Sequence, residues 1–231
     1  MPAAKPATAV ALDARLTVAE DERTWVSRGA HKLIGALDAF GIDVTGRRCL
    51  DAGASTGGFT EVLLDRGAVE VVAADVGYGQ LAWSLREDPR VDVLDRTNAR
   101  ALQPAMLPRI PNLLTMDVAF ISSALVWPAV AACLDAGYRA LVMVKPQFEV
   151  GRENVGSGGV VRDPVLRRDA VMAVAGAVAA TGGQVAGAAD SGTPGPRGNR
   201  EIFLLVHGPD LPPPGVDLAV VVDAAVAEAG P

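Results

Sequence analysis

Four charged side chains that lie far apart along the chain could carry out acid–base chemistry together: Lys32, Asp117, Lys145 and Glu201. Two cations and two anions in one cleft would balance, so that neither sign stays unpaired. A lysine takes a proton from a hydroxyl only when burial or a second cation lowers its pKa, and two neighbouring lysines would provide that cation. The two acids would then hold and orient the amines. Taken singly, each of the four is more typical of a surface salt bridge.

A glycine-rich loop between a predicted strand and a predicted helix indicates a ligand-binding turn. Residues 50–60 read LDAGASTGGFT. Glycines permit positive φ angles and a close approach of the backbone, and the start of a helix offers unpaired N–H donors to an electron-rich ligand. The alternative is a tight strand–helix turn that holds no ligand. The residues of this loop that we assign to a ligand site are Asp51, Gly53, Ser55, Thr56, Gly57, Gly58 and Phe59.

A second predicted strand, at 69–75, ends in an acid that indicates the type of ligand. Asp75 lies about 20 residues beyond the loop, where nucleotide-binding α/β proteins place a carboxylate for ribose hydroxyls. This spacing fits NAD and S-adenosylmethionine alike. The loop is not G-x-G-x-x-G, however, and Asp51 suits a methionine ammonium better than a pyrophosphate. We therefore assign the site to S-adenosylmethionine rather than NAD, and we also include Asp75, Val76 and Asn98.

Strands alternate with helices along most of the chain, which predicts an α/β fold with a doubly wound, mostly parallel, seven-stranded Rossmann-like sheet. Strands are predicted at 48–52, 69–75, 91–95, 112–117, 139–145, 184–188 and 201–206, the last two forming an antiparallel edge. Helices are predicted at 28–40, 58–66, 80–86, 120–134, 164–180 and 218–229, with Ser27 as the N-cap of the first. In such sheets ligands bind beyond the carboxyl ends of the strands, where Asp51, Asp75, Asp117 and Lys145 fall.

Composition favours a globular protein with one main domain. Half of the 231 residues are hydrophobic. The net charge of −6 does not indicate nucleic-acid binding, although basic residues could still cluster on one face. Cys49 and Cys133 lack metal-ligand spacing and are expected to be reduced core residues of a cytoplasmic protein. Two histidines are too few for a His-rich metal site, and we assign no metal. No segment is apolar for long enough to predict a membrane span.

Four separate motifs resemble the TlyA family, whose members are ribosomal RNA 2′-O-methyltransferases with an FtsJ-like catalytic domain. The motifs are SRGAHKL at 27–33, LDAGASTGGFT at 50–60, DVGYGQL at 75–81 and VKPQFE at 144–149. The resemblance implies a Rossmann-like methyltransferase fold over 23–207, S-adenosylmethionine as cofactor and cytidine ribose in ribosomal RNA as substrate. It also implies a Lys-Asp-Lys-Glu tetrad, which matches the four charged residues described above. For phosphate contacts we assign Arg28, Arg197 and Arg200.

The chain departs from this family at two places. Residues 1–22 are predicted to be a tail that keeps only a remnant of the family's N-terminal RNA-binding domain, while 208–231 form a linker and a terminal helix. In addition, the sequence MDVAF at 116–120 stands where the family has Asp-Leu-Ser-Phe, so Asp117 is kept and the serine is missing. The alternatives to a methyltransferase are a non-catalytic RNA-binding or haemolysin-type protein and an NAD-dependent oxidoreductase. The oligomeric state stays open.

Overall fold

The sheet predicted from the sequence is present in the computed structural model, which describes residues 24–230. Its strands are β1 (Arg48–Ala52), β2 (Glu70–Ala74), β3 (Val91–Leu94), β4 (Leu113–Met116), β5 (Arg139–Val144), β6 (Gln184–Asp190) and β7 (Ile202–His207). Their order in the sheet is β3-β2-β1-β4-β5-β7-β6, with all pairs parallel except β5–β7 and β7–β6. The prediction of seven strands with an antiparallel edge is confirmed.

Helices cover both faces of the sheet. They are α1 (Gly29–Phe40), α2 (Gly58–Asp65), α3 (Trp83–Arg86), α4 (Ser123–Ala131), α5 (Pro146–Glu149), α6 (Pro164–Ala180) and α7 (Leu218–Glu228). Sequence signals fix several of their ends. Asp163 caps α6 by accepting a hydrogen bond from the backbone N–H of Val165, and Asp217 caps α7 in the same way. Gly41 ends α1 in the left-handed conformation, where a side chain would be strained.

Four local predictions are wrong. Ser27 is not the N-cap of α1: Arg28 occupies that position without a side-chain cap, and the Ser27 side chain lies against Gly58 instead. The helices predicted at 80–86 and 120–134 are shorter in the structure, where they span Trp83–Arg86 and Ser123–Ala131. The 146–162 segment, expected to lack regular structure, begins with the single turn α5 and then forms two short 3₁₀ turns.

Two apolar layers enclose the sheet, one on each face. One contains Trp127 of α4 and Val174 of α6 together with Val222 of α7, and the other contains Leu33 of α1 and Leu63 of α2. The central parallel strands β4 and β5 are buried on both faces, as is typical of such sheets. Cys49 and Cys133 are both free and buried, which confirms their assignment to the core. Within residues 24–230, every helix is too short or too polar to cross a bilayer.

The chain reverses its direction of winding between β1 and β4, which are neighbours at the middle of the sheet. A crevice opens outside the carboxyl ends of the strands at such a switch point, because the helices that follow the two strands lie on opposite faces. The loops after β1, β2, β4 and β5 meet at this crevice, so the fold brings their polar residues to one end of the sheet.

Candidate active site

Two lysine–carboxylate ion pairs form at the carboxyl end of the sheet. Lys145, directly after β5, pairs with Asp117, directly after β4. Lys32 of α1 pairs with Glu201, the residue before β7, and both side chains are buried. A buried ammonium is costly without a partner, so each acid stabilises the lysine that it contacts. The structure thus joins four residues that are up to 169 positions apart into two specific pairs.

A cavity of about 270 Å³, which we call cavity A, connects the two pairs. Lys32, Asp117 and Lys145 all line it, whereas Glu201 lies behind Lys32. Its remaining walls come from the start of α1, from the loop after β1 and from Thr193, Pro194 and Pro196. A polar group that enters cavity A therefore meets both amines.

The loop after β1 passes so close to β4 that glycine is required. Gly53 has φ +92°, and a Cβ there would overlap the backbone carbonyl of Asp117. Gly57, with φ +101°, is the N-cap residue before α2, and a Cβ on Gly58 would collide with the Ser27 side chain. The loop is therefore packed between the strand that carries Asp117 and the helix that carries Lys32, where only glycine leaves enough room.

A second cavity, of about 350 Å³ and named cavity B, adjoins cavity A across this loop. Of the residues that we assigned to the cofactor, five line it: Gly53, Ser55, Asp75, Val76 and Asn98. The Asp75 carboxylate accepts hydrogen bonds from the backbone N–H groups of Ser55, at 2.9 Å, and Gly77, at 2.7 Å. Asp75 therefore ties the ends of two strands together and leaves a carboxylate at the wall of the cavity. Of the other assigned residues, Thr56, Gly58 and Phe59 line cavity A.

Asp51 lines neither cavity, although we assigned it to the cofactor site. It is fully buried beneath the loop, and its two oxygens accept hydrogen bonds from the hydroxyls of Thr60, at 2.7 Å, and Thr115, at 3.2 Å. Burial raises the pKa of Asp51 to about 7, and the nearby charge of Asp117 adds to this effect. The structure thus places Asp51 as a link between α2 and β4, and no contact with a ligand follows from its position.

The three arginines assigned to phosphate contacts lie in different surroundings. Arg28 is exposed and lines cavity A, while Arg197 is exposed and lines a third cavity, C, of about 380 Å³. Arg200 lines none of the three cavities. Its guanidinium lies near Gly230, and its charge contributes to lowering the pKa of Arg167. The structure brings Arg28 and Arg197 to the crevice and leaves Arg200 beside the C-terminal segment.

Two aromatic residues stand at the crevice without having been assigned to it. Phe120 is 91% exposed, has φ +64° and lines cavities B and C. Its ring lies 5.3 Å from that of Phe148, which also lines cavity C. Phe120 was predicted to lie in a helix, and an exposed side chain on a surface helix does not by itself indicate a binding site. The signal that could have identified it is its position three residues after the charged strand end, Asp117.

Comparison with known proteins gives these features a family. The model of the FtsJ-like methyltransferase family matches residues 25–208. The 16S/23S rRNA (cytidine-2′-O)-methyltransferase TlyA of Mycobacterium tuberculosis is 61% identical over 208 residues, which cover 90% of this chain and 78% of that protein. YqxC of Bacillus subtilis, named as an rRNA methyltransferase, is 43% identical over 89% of this chain and 73% of its own length.

A solved structure agrees with these matches. A Streptococcus thermophilus protein named as a hemolysin superimposes with a TM-score of 0.85 at 38% identity, covering 91% of this chain and 76% of that chain. Family and fold together decide between the enzyme classes left open by the sequence, in favour of a methyltransferase over an NAD-dependent oxidoreductase. The chain therefore belongs to the FtsJ-like methyltransferase family and, within it, to the TlyA group.

Proposed function

We propose that this methyltransferase uses S-adenosylmethionine to methylate the ribose 2′-hydroxyl of cytidine in ribosomal RNA, in the cytoplasm. The observation that carries the proposal is the convergence of Lys32–Glu201 and Lys145–Asp117 on one crevice at the strand ends. The printed name of the Mycobacterium tuberculosis relative supports the substrate. A non-catalytic RNA-binding or haemolysin-type protein would not need two lysines held by two acids at such a place.

The residues around cavity B fit the proposed cofactor. Asp75 has a carboxylate that could bind ribose hydroxyls. Because Gly53 has no side chain, the space beside the backbone of Asp117 stays open. The residues that would hold S-adenosylmethionine are Gly53, Ser55, Asp75, Val76 and Asn98. When bound, it supplies a methyl group activated by a sulfonium. We give Asp51 an indirect role, because it fixes α2 against β4 below the loop.

Within this proposal, Lys145 acts as the base. In its neutral form, Nζ of Lys145 takes the proton of the ribose 2′-hydroxyl, and the carboxylate of Asp117 stabilises the ammonium that results. Lys32 keeps its positive charge beside the oxygen that becomes electron-rich, and Glu201 holds Lys32 in place. The proton thus moves from the hydroxyl to Lys145, and the oxygen becomes free to accept the methyl group.

The choice of lysine at both positions supports an acid–base role. The chain has 21 basic residues, of which only Lys5, Lys32 and Lys145 are lysines and the rest are arginines. Arginine stays protonated in proteins, whereas lysine can lose its proton in a suitable site. Both ion pairs of the crevice nevertheless contain lysine, and at Lys145 a charge that can be lost and regained is what a base requires.

Replacement of Lys145 tests the proposal. Lys145→Ala removes the base and Lys145→Arg keeps a cation beside Asp117, yet we expect both to lose at least about 100-fold in kcat, because neither can take the proton. The assay is transfer of labelled methyl to ribosomal subunits, with the affinity for S-adenosylmethionine measured by calorimetry and expected to stay within about threefold. Arg168→Ala, which breaks the surface ion pair with Asp223, is the matched control. An arginine variant that keeps full turnover would refute the role of Lys145 as a base.

A further inference from the structure

A single buried asparagine connects two loops that are distant in sequence. Asn199 is 3% exposed, and its amide group makes two hydrogen bonds to the backbone about 40 residues earlier. Its Nδ2 donates to the carbonyl of Gly159, at 2.8 Å, while its Oδ1 accepts from the N–H of Val161, at 3.0 Å. One side chain therefore satisfies both a donor and an acceptor of a buried backbone segment.

The two loops joined in this way form one side of cavity C. The 151–162 loop contributes Val155 and Gly159, and the 191–200 loop contributes Gly195, Pro196, Arg197 and Asn199 itself. The opposite side includes Lys145, Phe120 and Phe148. Cavity C is therefore continuous with the proposed base, and the rim that faces Lys145 consists of two loops rather than of a helix or strand.

Each loop is closed by short-range hydrogen bonds within its own segment. Gly158 and Gly159 have φ angles of +77° and +78°, and the loop closes with hydrogen bonds from Gly156 N–H to the Val160 carbonyl and from Gly159 N–H to the Gly156 carbonyl. The 191–200 loop closes through Gly195 N–H, which donates to the carbonyl of Asn199 itself. Asn199 thus restrains both loops at once, through its backbone in one and its side chain in the other.

We propose that Asn199 is a positioning residue that unites the 151–162 and 191–200 loops into one rigid rim for the RNA nucleotide in cavity C. This inference rests on the proposed RNA methylation. A rim that is ordered before RNA arrives does not have to be ordered on binding, so less of the interaction free energy is lost. Cavity B contains no residue of either loop, and binding of S-adenosylmethionine is therefore independent of the connection.

Asn199→Ala separates this role from a general loss of stability. We expect the KM for ribosomal RNA to rise about tenfold, kcat at saturating RNA to change less than about threefold, and the affinity for S-adenosylmethionine to stay within twofold. The matched control is Asn154→Ala, because exposed Asn154 also donates from its amide, to the Val150 carbonyl at 2.7 Å, but only inside its own loop. The control should leave all three values unchanged.

Hydrogen exchange tests the connection without any substrate. In Asn199→Ala, the amides of Gly156 and Gly159 and those of Gly195 and Gly198 should all exchange faster, at least about tenfold, whereas Asn154→Ala should affect the first pair at most. Asn199→Asp keeps the acceptor for Val161 and loses the donor to Gly159, so it should give intermediate rates, and it serves if the alanine variant does not fold. Faster exchange in only one loop, or an unchanged KM, would overturn the proposal. If the wild type does not methylate ribosomal RNA, the proposed function is contradicted, whereas the exchange result still tests the connection that Asn199 makes between the two loops.

Discussion

Asp51 lies buried below the loop after β1, away from the walls of cavities A and B. A carboxylate at the end of the first strand is a natural partner for an ammonium, yet this one accepts from Thr60 and Thr115 below the loop. It has no contact with water, and the charge of Asp117 is close, so its ionised form is disfavoured and its pKa is raised to about 7. Whether it carries a proton therefore changes within the physiological range of pH.

We expect the stability of the protein to depend on pH through Asp51. Between about pH 4 and 7 the folded state keeps a proton on Asp51 that the unfolded state has released. The contribution of this group to stability therefore falls as the pH rises from about 4 to 7, and it changes no further above about pH 7. Each pKa unit corresponds to about 1.4 kcal/mol. Asp51→Asn removes this titration, and we expect its melting temperature to fall less than that of the wild type between pH 5 and 8.5.

Thermal melting at both pH values measures the difference, with exposed Asp92→Asn as the control. The control should follow the wild type at both pH values. Equal slopes for wild type and Asp51→Asn would contradict the assignment of a raised pKa to Asp51.

At the scale of elements, Glu149 connects the two strand-end segments that carry Asp117 and Lys145. It lies at the end of α5, and its carboxylate accepts from the Ser122 hydroxyl, at 2.5 Å, and from the Ser123 N–H, at 2.6 Å. Ser122 is the N-cap residue of α4, but its side chain makes no cap within the helix. Glu149 thus caps α4 from another element, where its negative charge also suits the helix dipole.

We predict that Glu149→Ala lowers the free energy of unfolding by ~1–2 kcal/mol, because α4 loses its cap and a charge-assisted hydrogen bond. Ser122→Ala removes only one of the two bonds and should cost less. Since both substitutions break the same contact, the double variant should cost less than the sum of the single variants. Urea denaturation of the four proteins checks this, with exposed Glu153→Ala as the control. Strictly additive costs would show that Ser122 and Glu149 act independently.

Periodic elements could be predicted from the sequence, whereas short ones could not. The buried strands and α6 have long apolar patterns bounded by clear signals, such as Asp163 and Pro164, and their predictions are confirmed. The predicted helix at 120–134 began too early, because Phe120 adopts φ +64° at the strand-end loop and α4 starts only after Ser122. Hydrophobic periodicity reports which side chains are buried and carries no information about the φ angle of a single exposed residue.

For the site, too, some residues could be predicted from the sequence and others could not. Residues at strand ends, such as Asp117, Lys145 and Asp75, could be placed from topology, because parallel strands end at one edge of the sheet. Partners could not be assigned: only the folded chain shows that Lys32 contacts Glu201 and Lys145 contacts Asp117. Asn199 was missed altogether, since its function lies in two backbone hydrogen bonds to a distant loop.

At the scale of the whole molecule, an acidic protein has to bind an acidic polymer. The net charge is −6, so attraction to RNA must come from a local concentration of cations. Lys32 and Lys145 are each neutralised by an acid within their pairs. The exposed cations that remain at the walls of the cavities are Arg28, beside cavity A, and Arg197, beside cavity C. These two arginines are therefore the expected phosphate contacts of the crevice.

The positions of these exposed arginines predict how the affinity for RNA depends on salt concentration. If Arg28 and Arg197 each neutralise one phosphate, replacing either by alanine should reduce the slope of log K for RNA against log salt concentration by about 0.7–0.9. Arg200, which the structure leaves beside Gly230 and outside the three cavities, serves as an internal control of the same residue type. Arg200→Ala should leave the slope unchanged. Filter-binding titrations with ribosomal RNA fragments at several salt concentrations measure all three variants, and a slope that falls equally for Arg200→Ala would place the phosphate path over the C-terminal segment instead of the crevice.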